Sequence, residues 1–152
     1  MKYIISNLQV NPLRVAWANL LNRYRFTWFA TLTWRSSLPK SYTAINQTKK
    51  WIKVIEKAEK RDIGYFLCLE WTKFQNRPHI HLLMGNLEGI RRDKWWLFWF
   101  TKYGRVRILP YRQELGASYY LCKYVIKDIY YKATYEIKGL KGLDQLTLKE
   151  LT

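Results

Sequence analysis

The two histidines of this 152-residue chain, His79 and His81, are separated by a single apolar residue. Because strand side chains alternate between faces, a strand through this segment directs both imidazoles to the same side. A hairpin that turns around residues 74–76 then places Glu70 opposite His79. Two imidazoles and a carboxylate suit a divalent cation such as Mg²⁺ or Mn²⁺, which polarises a phosphoryl oxygen as a Lewis acid. The alternative interpretation is that all three are ordinary paired sheet residues.

A second set of reactive residues lies in segment 118–128, where helical spacing puts Tyr120 and Tyr124 on one face. Lys123 and Lys127 each follow a tyrosine by three residues, so each phenol has an ammonium group within one helical turn. A nearby cation favours the phenolate, which is the nucleophile needed to attack a phosphodiester. The alternative is an amphipathic helix with half-buried tyrosines.

The charge balance indicates a polyanionic partner. Lys and Arg number 27 against 11 Asp and Glu, which gives a formal net charge of +16. Nucleic acid or an anionic membrane surface fits this excess. No stretch is apolar enough to span a membrane, the first residues do not resemble a signal peptide, and Cys68 and Cys122 lie alone in apolar segments. We therefore expect a cytoplasmic protein with reduced core thiols.

Hydrophobic periodicity predicts a single α+β domain with short extensions around a core at 26–128. The elements follow in the order strand, helix, strand, strand, helix, strand, helix. Strands are predicted at 26–34, 63–71, 79–84 and 105–109, and helices at 41–61, 91–103 and 114–128. Hairpins interleaved with helices favour an antiparallel sheet with packed helices, of ferredoxin-like or RRM-like character. The lysine-rich segment after residue 130 is given no element.

Segment 91–107 combines cationic and aromatic residues. The cationic side chains are candidate phosphate contacts. Together with one arginine before the histidine strand, the predicted DNA-binding residues are Arg77, Arg91, Arg92, Lys94, Arg105 and Arg107. The favoured interpretation of the rings is a buried helical stripe, with base stacking as the alternative. That stripe consists of Trp96, Trp99, Phe100 and Tyr103.

The motifs together resemble those of the HUH endonucleases, specifically the replication initiators of rolling-circle plasmids and of single-stranded DNA phages and viruses. Phe29–Thr33 resembles the first motif of that family. Arg77–Leu83 resembles the metal motif, with Glu70 at the place of the acidic third ligand. Tyr120–Lys127 is similar to the paired-tyrosine form of the third motif. The resemblance covers roughly residues 26–128, and the combination is more specific than any one motif.

This resemblance implies a five-stranded antiparallel sheet and a Mn²⁺ or Mg²⁺ ion held by Glu70, His79 and His81. It also implies that a tyrosine nicks single-stranded DNA at an origin, which can include a hairpin. The products are a 5′-phosphotyrosine and a free 3′-OH primer. The chain contains no GxxxxGK[ST] motif, so we expect a host helicase and polymerase to be partners.

The resemblance also implies roles for the residues of the third motif. We interpret Tyr124 as the first nucleophile. Tyr120 is the second, which attacks the regenerated origin to end the cycle. Lys127 orients the substrate or neutralises charge, and Lys123 lies beside Tyr120.

Two other functions are compatible with parts of the sequence. A single-strand transposase has a similar size and histidine strand, but such enzymes usually carry one tyrosine with a helix glutamine, which the pair Tyr120 and Tyr124 does not match. A non-catalytic nucleic-acid-binding module on an RRM-like sheet would stack bases on aromatic rings. That module predicts that Phe29 and Phe66 matter more than Tyr124 and that EDTA changes nothing.

We expect the affinity for single-stranded DNA to fall steeply with salt. Each contacted phosphate releases condensed counterions, which gives a slope of about −0.7 per contact in a plot of log K against log salt. Fluorescence anisotropy of a labelled oligonucleotide across a range of NaCl concentrations measures this slope. A flat plot would rule out a charged DNA-binding surface.

Overall fold

The structure, a computed structural model, describes residues 12–36, 38–72, 77–117, 120 and 134–143. The helices are α1 (Pro12–Leu21), α2 (Ser41–Glu59) and α3 (Asp93–Lys102). The strands are β1 (Trp28–Leu32), β2 (Tyr65–Trp71), β3 (Pro78–Met84), β4 (Val106–Pro110) and β5 (Thr134–Lys138). Short 3₁₀ turns span Gln113–Leu115 and Leu140–Leu143. None of the helices in these ranges is both long and apolar enough to cross a membrane.

The strands form one antiparallel sheet in the order β4-β1-β3-β2-β5. The succession β1, α2, β2, β3, α3, β4 along the chain, with β3 inserted between β1 and β2, is the ferredoxin-like arrangement. β5 extends this unit beside β2. The predicted α+β fold with a five-stranded antiparallel sheet and packed helices is therefore confirmed.

One face of the sheet, here called the helix face, packs against α2 and α3. The predicted alternation is confirmed, since every second strand residue is buried in this core. From β1, β2 and β3 these residues are Trp28, Ala30, Leu32, Tyr65, Leu67, Leu69, Ile80, Leu82 and Met84. The helices contribute large rings, and the ring centroids of Trp51 and Trp99 are 5.7 Å apart. Alternating burial on β3 thus leaves His79 and His81 on the opposite face.

The buried stripe of α2 is narrower than helical spacing alone indicates. Spacing groups Val54 and Ala58 with Trp51 and Ile55, but Val54 and Ala58 are exposed. The buried residues are Ala44, Ile45, Thr48, Trp51, Ile52 and Ile55. Ser41 is the first helical residue, and its Oγ accepts a hydrogen bond from Trp71 Nε1 at 3.0 Å. Contact with the sheet, which local spacing does not reveal, decides which side of the helix is buried.

The opposite face of the sheet, here called the site face, carries a second apolar core at one end. Its buried residues are Leu21, Phe26, Phe66, Cys68, Leu83, Tyr111, Ala117, Tyr120, Leu140 and Leu143. The burial of Cys68 agrees with the prediction, whereas Cys122 lies outside the described residues. α1 and β5 are elements that the sequence pattern missed. The predicted helix 114–128 is described only in part, and it starts with the 3₁₀ turn Gln113–Leu115.

We expect Gly104→Ala to destabilise the fold. A Cβ at residue 104, between α3 and β4, would lie 2.6 Å from Arg35 N and 2.9 Å from Thr33 O, and these backbone atoms have little freedom to move. Overpacking of this kind typically costs about 1–3 kcal/mol. Denaturant unfolding measures the loss. Gly142→Ala is the matched control because a Cβ there meets nothing within 4 Å, and equal stability of the two variants would contradict the prediction.

We expect the Tyr111 phenol to lower the free energy of unfolding as the pH rises above about 10. Burial, followed by the electrostatic influence of Tyr120, raises the pKa of the Tyr111 phenol above its usual value. A raised folded-state pKa contributes stability below about pH 10, where the unfolded phenol is neutral, and this contribution is lost as the pH rises further. Urea unfolding at pH 8 and pH 10.5 should therefore show a decline that is smaller in Tyr111→Phe.

At pH 8 the Tyr111→Phe variant should be as stable as the wild type or more so. Within the described part of the chain, the buried Tyr111 hydroxyl has no hydrogen-bond partner. Removing an unsatisfied buried hydroxyl removes a desolvation cost. A loss above about 1 kcal/mol at pH 8 would contradict this account.

Candidate active site

The pairing register defines the site face residue by residue. One row across the sheet consists of Arg107, Thr31, His81, Cys68 and Tyr135. A parallel row nearer the second apolar core consists of Leu109, Phe29, Leu83, Phe66 and Ile137. On the other side of the first row, Glu70 pairs with His79, and Thr33 N donates to Arg105 O at 3.0 Å. The site face therefore has an apolar end that is covered by the second core and a polar end that carries the histidines.

The predicted register of Glu70 opposite His79 is confirmed. The carboxylate, however, makes its hydrogen bond diagonally across the strands, with Glu70 Oε2 3.0 Å from His81 Nε2. Diagonal neighbours on one sheet face lie within reach of long side chains. His81 is buried and Glu70 is largely shielded. The two groups thus form a close polar pair at the edge of the apolar end.

The pKa of His79 is lowered from its ordinary value. The largest cause is burial, followed by the nearby His81; Glu70 partly opposes the shift and Arg77 adds to it. An imidazole with a lowered pKa is neutral at pH 7, and neutral imidazole is the form that binds metal ions.

The three side chains fit a divalent cation in their chemistry and in sharing one face. They are not yet gathered around a common point, since the ring centroids of His79 and His81 are 6.5 Å apart. Within the ranges that the structure describes, no group of three or more His, Cys, Asp or Glu is arranged to hold a metal ion. Ligation requires the His81–Glu70 hydrogen bond to be exchanged for metal bonds. The metal site therefore stays a prediction.

Tyr120 packs on the site face beside the histidines. Its ring centroid lies 5.0 Å from that of Phe29 and 4.8 Å from that of Tyr111, and Phe29 in turn stacks with His81 at 6.4 Å. Its hydroxyl accepts a hydrogen bond from Arg112 N at 3.0 Å, and the residue is only 8% exposed. In this conformation Tyr120 is a core residue, and the ring of Phe29 lies between it and His81.

The other predicted residues of the tyrosine motif lie outside the described residues. They are Lys123, Tyr124 and Lys127. Their assigned roles consequently stay predictions from the sequence.

The structure separates the predicted DNA-binding residues into two groups. Arg77, Arg105 and Arg107 lie at the polar end of the site face. The other group, at the start of α3, consists of Arg91, Arg92 and Lys94. Its members contact their own surroundings: Arg91 pairs with Asp93 at 2.7 Å, Arg92 donates to Ile108 O at 3.1 Å, and the Lys94 ammonium lies 4.8 Å from the Trp95 ring centroid.

The predicted ring stripe on α3 is wrong for two of its members. Trp96 is 38% exposed and Phe100 is 41% exposed, whereas Trp95 and Trp99 are the buried residues of this helix. A helix packed on a sheet buries one narrow stripe, and the residue pair four positions apart at 95 and 99 occupies it. Trp96 and Phe100 instead stack on each other at 4.8 Å, and Trp96 Nε1 donates to Val106 O.

A cavity of about 460 Å³ adjoins His79 at the polar end. It is lined by Thr33, Trp34, Arg35, Arg77, Pro78, His79 and Arg105, and we call it the arginine cavity. Sequence reasoning missed Arg35, which follows β1. The available signal was a cationic residue directly after a predicted strand, but only the packing of β1 against β3 and β4 brings it near Arg77 and Arg105.

Comparison with protein families gives a match. The model of the replication-associated protein ORF2 family matches residues 27–129, about two thirds of the chain. Searches of curated proteins and of solved structures give no significant match. The matched residues include β1, both histidines, Glu70 and the tyrosine motif. The chain therefore belongs to the replication-associated protein ORF2 family.

Proposed function

We propose that this replication-associated protein is an initiator that nicks and rejoins single-stranded DNA at an origin through a tyrosine nucleophile. One observation carries the proposal: Glu70, His79 and His81 share the polar end of the site face, and Tyr120 packs one ring away from His81. The alternating periodicity of β2 and β3 supports it, because it puts these three residues on the face of the sheet against which Tyr120 packs. Membership of a replication-associated family supports the same conclusion.

In this proposal Glu70, His79 and His81 hold a Mn²⁺ or Mg²⁺ ion. Such an ion supplies Lewis-acid polarisation of the scissile phosphoryl oxygen. The residues of the chain provide the rest of the environment. The lowered pKa of His79 keeps this imidazole neutral, and the hydrogen bond between Glu70 and His81 holds these two groups close together before an ion binds.

The nucleophile in this proposal is Tyr124, with Tyr120 as the second tyrosine. The phenolate oxygen forms a bond to phosphorus, the bond from phosphorus to the 3′ oxygen breaks, and that oxygen takes up a proton to become the 3′-OH primer. The 5′-phosphotyrosine keeps the bond energy for rejoining. Lys123 and Lys127 favour the phenolate form. The Tyr120 hydroxyl accepts a hydrogen bond from the Arg112 N–H, and this bond must break before Tyr120 can act as a nucleophile.

The binding partner in this proposal is origin DNA in single-stranded form, including any hairpin. Strand separation and synthesis fall to a host helicase and a host polymerase in the cytoplasm. The formal charge of +16 supports a nucleic-acid partner.

The structure disfavours a non-catalytic module that stacks bases on the sheet. That function needs exposed rings at Phe66 and Phe29. Phe66 is fully buried, and Phe29 is packed against Tyr120. The second apolar core therefore covers the part of the sheet where such a module would bind bases.

We expect wild-type protein with Mn²⁺ to form a covalent adduct with an origin oligonucleotide, and Tyr124→Phe to form none. Removal of the nucleophilic oxygen abolishes the transesterification. A denaturing gel of end-labelled single-stranded DNA from the element that encodes the protein detects the adduct. Tyr42→Phe is the matched control, because Tyr42 is 78% exposed on α2, and it should retain the adduct. Loss only in Tyr120→Phe would reverse the assignment of the two tyrosines.

The same gel tests the metal. EDTA or His81→Ala should abolish the adduct, while most of the affinity for the oligonucleotide persists because the cationic residues are unchanged. Unimpaired cleavage in either case would contradict the metal assignment. Tight binding without an adduct under any condition would contradict the proposed nicking activity.

A further inference from the structure

Three arginines line the arginine cavity, and no acidic residue among the described residues lies in its wall. Arg35, Arg77 and Arg105 line it, and none of them forms an ion pair with a carboxylate of the described residues. The rest of the wall is mainly Trp34, Pro78, Thr33 and His79. Three arginines that line one concave space attract an anion, because the low-dielectric wall focuses their field.

Backbone carbonyls hold two of these arginines in place. Arg35 Nη1 donates to Phe100 O at 2.7 Å, and Arg35 Nη2 donates to Thr101 O at 2.6 Å, at the end of α3. Arg77 Nη1 lies 3.4 Å from Trp34 O. Each guanidinium has five N–H donors, so these bonds leave donors for a ligand. Arginines already held in place lose less side-chain entropy when they bind an anion.

The position of the cavity indicates which anion it receives. His79 belongs both to its wall and to the predicted metal set, so the cavity adjoins the point where the scissile phosphate is expected. Its volume of about 460 Å³ exceeds the space that a single phosphate fills and falls within the usual range of ligand pockets. Guanidinium groups match phosphate oxygens in geometry and charge.

We propose that the arginine cavity is a phosphate subsite that holds the backbone phosphate next to the scissile one in single-stranded DNA. This inference rests on the proposed function for the identity of the strand. Binding of the neighbouring phosphate aligns the strand, so that one particular phosphodiester lies at Glu70, His79 and His81. The subsite thereby contributes to the choice of the cleavage position.

Neutral-linkage scanning tests this subsite without cleavage. Oligonucleotides that each carry one methylphosphonate at a different position are bound to wild-type protein in EDTA, and affinity is measured by fluorescence anisotropy. We expect one position at which the neutral linkage weakens wild-type binding about tenfold, which is the effect of losing one charge-assisted contact. Arg105→Ala should weaken binding of the unmodified strand by a similar factor. In this variant a neutral linkage at the sensitive position should cause no further loss of affinity.

Lys53→Ala provides the matched control. Lys53 is exposed on α2, the helix that packs against the helix face, and its removal changes the charge by the same amount. This variant should still lose affinity at the sensitive position. If Arg105→Ala and the second variant Arg105→Gln respond to every neutral linkage as the wild type does, the subsite is wrong.

The outcome is separable from the nicking proposal. A position-specific loss of response in Arg105→Ala supports the subsite even if no covalent adduct forms. Adduct formation by the wild type together with an unchanged linkage response in both Arg105 variants overturns the subsite alone.

Discussion

The pairing of β3 with both β1 and β2 fixes which side chains lie on each face of the sheet. β3 is the central strand, and its side chains alternate strictly between two environments. Ile80, Leu82 and Met84 are buried against the helices, so His79 and His81 have to face the other way. A register slip of one residue would bury both imidazoles in an apolar core and expose three apolar side chains. Core packing thus fixes the orientation of the candidate ligands.

The site face shows how one sheet surface supports two environments. At one end, the second apolar core covers Phe66 and Leu83. At the other end, Glu70, His79 and the arginines remain accessible or partly accessible, whereas His81 is buried. Phe29 joins the two, since it contacts Tyr120 on one side and stacks with His81 on the other. This division brings a low-dielectric wall close to the polar groups, which strengthens electrostatic interactions there.

The junction between α3 and β4 positions the arginine cavity. Gly104 allows the backbone of this junction to approach the end of β1 closely, and Thr33 accordingly pairs with Arg105. Arg35 then donates to the last carbonyls of α3. The same contacts that close the helix face therefore arrange cationic groups beside His79. The packing of α3 on the helix face thus also positions the arginines beside His79 on the site face.

Local pattern was sufficient to predict the elements of the ferredoxin-like unit, the alternation of its strands and the register of Glu70 with His79. These features follow from short-range periodicity and from the hairpin turn, which any folded strand pair obeys. The resemblance to replication initiators agrees with the family that the chain matches. The helix predicted to carry the nucleophile stays a prediction, since Tyr120 is observed on the site face but Tyr124 lies outside the described residues.

Features that depend on contacts between distant parts of the chain became visible only in the folded protein. α1 and β5 carry weak local patterns, and they form because they complete the second core and the edge of the sheet. The exposure of Trp96 and Phe100 likewise has no local signature. The same is true of the diagonal contact of Glu70 with His81 and of the convergence of three arginines on one cavity. Periodicity tells which residues share a face of one element, whereas burial and proximity depend on which other element covers that face.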